Sequence, residues 1–127
     1  MSDELFGPGE PGDPTYLKGS VCRACGRAEF PRRAECPACG AESEPVDLEG
    51  PARLRVSSAV LAQPPGSKVQ APYGVGVAEF PQGLCVIGLL VGEPAAGATV
   101  EVVVHEPYPG GRIFAFREPG FLPAVAI

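Results

Sequence analysis

No stretch of 18 or more uninterrupted apolar residues occurs in the 127-residue sequence, so none of it reads as a transmembrane helix. No basic-then-apolar segment opens it, and a signal peptide is not expected. The expected compartment is therefore the cytoplasm, with no membrane contact. Positive charge is also scarce. Ten Lys and Arg stand against 15 Asp and Glu, for a net charge of −5. A nucleic-acid binder usually displays a basic stripe that neutralises phosphates, and this chain has none. There is one histidine, His105, so any thiol-based catalysis has a single candidate imidazole. A GxxxxGK phosphate loop, an internal repeat and a coiled-coil heptad are all missing.

Glycine and proline are plentiful, at 17 and 16 residues, which points to short strands and many turns. The charge is unevenly spread. Residues 1–49 carry ten acids and five bases, whereas residues 50–127 carry five of each. We divide the chain into a Gly/Pro-rich N-terminal arm (1–20), a cysteine module with an acidic exit (21–49), a β-barrel (50–120) and an apolar tail (121–127). The arm is expected to be mobile, with Tyr16 and Leu17 pinned to the body.

From Gly50 onward five strands are legible. "PARLRVSSAVL" alternates, placing Leu54, Val56, Ser58 and Val60 on one face and Arg53, Arg55, Ser57 and Ala59 on the other. "YGVGVAEF" carries Gly74 and Gly76, which suggest a bend or a close backbone approach. "LCVIGLLV" is apolar on both faces and reads as a strand covered on both sides. "TVEVVVHE" and "RIFAFR" complete the set, with Phe114 and Phe116 on one face as core. The fold class is mainly β: the cysteine module followed by a five-stranded OB-type barrel, which leaves no exposed edges. A small sandwich is the alternative.

The chemistry lies in "CRACGRAEFPRRAECPACG". Cys22, Cys25, Cys36 and Cys39 form two CxxC pairs ten residues apart, the spacing of two facing knuckles. Gly26 and Gly40, each just after a pair, let the backbone turn so that N–H groups point at sulfur. Four thiolates close the tetrahedral shell of Zn²⁺ and leave no position for water. The expected role is therefore structural. Iron is the alternative occupant, since tetrahedral sulfur sites take either metal. A thioredoxin-like couple would need one CxxC beside a βαβ pattern, which is not present.

Cys85, within "LCVIGLLV", is expected to be a small buried hydrophobe. The competing reading is a Cys85–His105 pair across the barrel. The acids cluster in turns and in the front segment, so paired carboxylates are not expected, and no catalytic constellation emerges.

Taken together, the chain resembles the OB-fold acyl-CoA-associated family with a rubredoxin-like zinc ribbon, formerly a domain of unknown function. The resemblance spans about residues 15–120. It rests on the cysteine module, the Gly50 step into the first barrel strand, "APYGVGVAEFPQG" and "RIFAFREP". It implies a non-catalytic accessory subunit of a thiolase or thiolase-like aldolase acting on acyl-CoA, steroid side-chain degradation being one setting. A hot-dog-fold hydratase is a further implied partner, and the implied metal ligands are Cys22, Cys25, Cys36 and Cys39. The Gly/Pro-rich arm departs from the family, whose members more often carry a short amphipathic helix there. In that role, the loop cations Lys68 and Arg112 are candidate acyl-CoA contacts beside an apolar groove for pantetheine. The tail "FLPAVAI" is a candidate for insertion into a partner. The alternative function is a single-stranded nucleic-acid-binding OB/zinc-ribbon protein, which would need a basic groove with stacking aromatics.

Overall fold

The structure is a computed structural model that describes residues 5–119. Those residues form eight strands and no helix. A three-stranded antiparallel sheet comes first: β1 (Leu17–Cys22), β2 (Ala28–Glu29) and β3 (Ser43–Leu48), in the order β2-β1-β3. The acidic segment read as an exit from the cysteine module is thus largely β3, paired with all of β1 from Leu17↔Leu48 to Cys22↔Ser43. Five strands follow: β4 (Ala52–Val60), β5 (Tyr73–Glu79), β6 (Cys85–Leu90), β7 (Thr99–His105) and β8 (Ile113–Arg117). They close into a barrel of order β4-β5-β6-β8-β7. The expected five-stranded barrel is borne out, and the sandwich is not.

The barrel interior is filled by the inward positions of each strand. Leu54, Ala78, Val86, Leu90, Val100, Val102, Val104, Phe114 and Phe116 form one cluster with Phe80. Two phenylalanines on β8 need room, and Gly88 opposite provides it. A Cβ on Gly88 would stand 2.8 Å from the Phe116 ring, and one on Gly76 would stand 2.7 Å from the Val56 carbonyl oxygen. The expected close approach in β5 is therefore real. Arg117, at the end of β8, is only 7 % exposed and is balanced by Glu101 of β7 at 3.0 Å.

Three expectations need correction. In β4 the register slips between Leu54↔Ala78 and Val56↔Val77, so Arg55 is an extra, bulged residue. Leu54 points inward, but the bulge reverses the phase, and Val56 is 51 % exposed. A strict period of two cannot anticipate a bulge. In β6 only Val86 and Leu90 are buried, whereas Ile87 is 73 % exposed and Cys85 also lies at the surface. The barrel covers one face of that strand, while on the other Leu89 is half-buried and Cys85 and Ile87 are left at the surface. Residues 5–16, finally, do not stand off as a free arm. Phe6 is 1 % exposed and bridges to Leu17. Gly12 and Thr15 donate their N–H groups to the carbonyls of Val104 and Val102, and the Val104 N–H donates to Asp13. The arm thus occupies the edge of β7, of which only the first residues pair with β4. The tail at 121–127 lies outside the described residues.

Candidate metal centre

The cysteines are positioned by a local fold that the chain uses twice. Cys22 ends β1, and the Gly26 N–H donates to its carbonyl at 3.0 Å; the Gly40 N–H donates to that of Cys36 at 2.8 Å. The Cys22 N–H donates to Arg27, and the Cys36 N–H donates to Ala41. Each turn closes through a glycine in the left-handed region, at φ 76° for Gly26 and 78° for Gly40. There a side chain would be strained. Ala24 and Cys25 aim their N–H groups at the Cys22 sulfur, and Ala38 aims its own at Cys36, each at 3.4 Å.

The two knuckles meet sulfur to sulfur. Cys22 and Cys39 are 3.4 Å apart, Cys25 and Cys36 are 3.7 Å apart, and all four sulfurs lie within 4.8 Å of one another. Four thiolates at about 2.3 Å from a central ion stand roughly 3.8 Å apart, so the cluster fits a tetrahedral centre. Their proton affinities differ. The Cys25 N–H, helped by that of Ala24 and the Cys39 thiol, pulls Cys22 down to about 6 against the opposing effect of burial. The Ala41 N–H pulls on Cys39, yet the Cys22 sulfur and burial hold it up at about 11. A bound cation would displace the thiol protons of the cluster. With all four positions taken by protein, a metal here has no vacancy for substrate or water.

Residues 11–44 match the family model of the ChsH2 rubredoxin-like zinc ribbon domain. This stretch is similar to that domain. The match begins within the arm, which fits the Phe6–Leu17 bridge and the start of β1 at Leu17. Over 95 residues the chain is 35 % identical to the benzoylsuccinyl-CoA thiolase subunit BbsA of Thauera aromatica, covering 74 % of this chain and 64 % of that one. It is 34 % identical over 77 residues to a DUF35 domain-containing scaffold protein of Methanocaldococcus jannaschii, covering 59 % and 55 %. The chain thus spans less than two thirds of the length of these curated relatives. Among solved structures it is similar to an Ltp2-ChsH2(DUF35) aldolase, with a TM-score of 0.66, 25 % identity and coverage of 81 % and 84 %. A DUF35 protein of unknown function from Sulfolobus solfataricus matches in fold, at a TM-score of 0.58 and 21 % identity over 81 % and 75 % of the two chains. The resemblance drawn from the sequence, a rubredoxin-like ribbon ahead of an OB barrel, is borne out by these matches.

The remaining candidates fall elsewhere. Cys85 lines a hollow between the ribbon and the β5–β6 turn, with Arg27, Phe30 and Leu84. His105 lines a different hollow with Val69, Tyr73 and Leu89, and burial pushes its pKa down. The two are not brought together. Phe114 and Phe116 are 6 % and 0 % exposed, so neither offers a face for base stacking. Lys68 and Arg112 both lie near Tyr108 in the turn after β7. The Lys68 ammonium is 6.0 Å from the Tyr108 ring centre. Arg112 lines a groove of about 390 Å³ with Val69, Leu89, Tyr108 and Ile113. It also donates to the Gly9 carbonyl at 3.0 Å and lies 4.8 Å over the Phe6 ring. Arg112 is thereby a clamp on the arm, a role hidden in the sequence because 103 residues separate it from Gly9. Missed likewise was the aromatic chain that fastens ribbon to barrel, in which Phe6 and Phe30 both meet Phe114 edge-on.

Proposed function

We propose that the chain is a non-catalytic accessory subunit of a thiolase-superfamily enzyme, a thiolase or retro-aldolase, that makes or breaks a carbon–carbon bond beside an acyl-CoA thioester. The observation that carries the reading is the closed four-sulfur centre, which can stabilise a fold but cannot activate a substrate. No nucleophile–base pair accompanies it among the described residues. Similarity to proteins named as a thiolase subunit, a scaffold protein and a DUF35 aldolase supports an accessory role. The nucleophile and the acid–base groups then belong to the partner. This subunit steadies the partner and helps form its acyl-CoA site in the cytoplasm, with a hot-dog-fold hydratase as a further partner. The ion is Zn²⁺, and visible absorption typical of ferric sulfur sites would replace it with iron.

Arg112 lines the groove, Lys68 stands over the Tyr108 ring that also lines it, and both serve as phosphate contacts for CoA. Lys68→Glu is the cleaner test, since Arg112 also holds the arm. That substitution should raise the KM of the complex for acyl-CoA; unchanged kinetics would remove Lys68 from the site. The reading as a whole is tested by affinity purification of the tagged chain from its own cells with mass spectrometry. Stoichiometric recovery of a thiolase-like or aldolase subunit is expected. Recovery of the chain alone, or with nucleic acid, would overturn it.

A further inference from the structure

The outer side of β4, β5 and β6 carries rows fixed by the strand register: Val56–Val77–Ile87, then Ser58–Val75–Leu89. Val56 and Ile87, at the two ends of the first row, are among the most exposed large hydrophobics of the described residues. The inward alternates in the same strands, Ala78, Val86 and Leu90, are the buried ones. β6 therefore has the composition of a strand covered on both faces, whereas the described residues leave Cys85 and Ile87 of its outer face at the surface. Next to the apolar rows the Arg55–Glu79 ion pair neutralises itself, so the face offers uncharged apolar surface.

Two features narrow the occupant. β5 and β6 each pair with neighbours on both sides in a closed barrel, so a partner cannot add a strand here and must bring side chains. A second copy suits the face poorly. An apolar patch of a few hundred Å² is the kind that marks a contact site. Two such patches alone would bury less than the roughly 1,200–2,000 Å² of a stable interface. We infer that this face is the dock for the enzyme subunit of the complex, which meets it with an uncharged apolar strip and makes further contacts beyond it. The inference rests on the accessory-subunit reading and adds the surface to it.

The test compares the full chain with Ile87→Glu and Val56→Lys, two substitutions at exposed positions. Each variant is purified from the native cells, its partner identified, and the pair titrated. Recovery of an identified thiolase-like or aldolase subunit by the unmodified chain is expected. Affinity should fall about tenfold or more in each variant, as for the centre of an interface. Metal content and melting should not change. Wild-type affinity in both variants would overturn the dock and leave the accessory reading standing. Failure of the unmodified chain to recover such a subunit would overturn both. A self-associated species that Ile87→Glu dissociates would assign the face to a second copy instead. If deleting residues 121–127 exposed the face to an apolar dye in a way that Ile87→Glu suppresses, it would belong to the chain's own tail.

Discussion

The ribbon and the barrel are both small antiparallel constructions, yet they hold their shape by different means. In the ribbon one strand has two residues, and the buried apolar side chains of its sheet are Leu17, Leu48 and Cys22 of the sulfur cluster. Every β-strand of the barrel contributes at least one side chain to a shared core. Backbone hydrogen bonds occur in both, so they do not explain the difference. Apolar burial does. A segment of about 30 residues cannot remove enough apolar surface from water to offset its chain entropy, and a metal centre supplies what is missing. Two stabilities in one chain should be separable by experiment.

Removing the metal tests the separation most severely. Chelation, or Cys22→Ser with Cys36→Ser, should forfeit the order of 10 kcal/mol that such sites contribute. Hydrogen exchange should then show β1–β3 losing protection while β5–β8 keep theirs. Loss of protection throughout would mean that the barrel depends on the ribbon. Phe116→Ala strikes the other region. Its ring is fully buried against Phe80 and Phe114, and truncation should cost about 3–5 kcal/mol in urea unfolding with metal content unchanged. Gly76→Ala would press a methyl group on the Val56 carbonyl and Leu54, costing about 1–3 kcal/mol by overpacking. His105 gives the mildest effect. Burial lowers its pKa, so the unfolded chain takes up the proton first. Stability should decline as pH falls through the ordinary histidine value of about 6.5, and His105→Gln should flatten that decline.

Local punctuation made much of this legible. All five barrel strands were found within a residue or two because glycine and proline bound them, and spacing alone marked Cys22, Cys25, Cys36 and Cys39, whose sulfurs the fold gathers within 4.8 Å of one another. What escaped depends on distant partners. The Arg55 bulge is set by the pairing of β4 with β5, and nothing in "RLRVSS" announces it. The burial of Phe6 requires β1 and β8 to come together, and a Gly/Pro-rich sequence around it reads as free. Ile87 and Cys85 were misplaced because an apolar strand looks alike whether its second face meets its own chain or another molecule.

The path of the backbone through these parts has a mechanical meaning. The chain touches β7 at residues 12–15, leaves to build the ribbon, and returns at Ala52 to pair with Val100 of the same strand. The ribbon is consequently a bracket bolted at both ends to one beam, with Phe6 and Phe30 wedged beneath it. A load on the knuckles enters β7 at two points, so the ribbon resists swivelling as a unit hung from a single tether would not. An assembly built on such a bracket could keep two protein surfaces at a fixed angle through many turnovers.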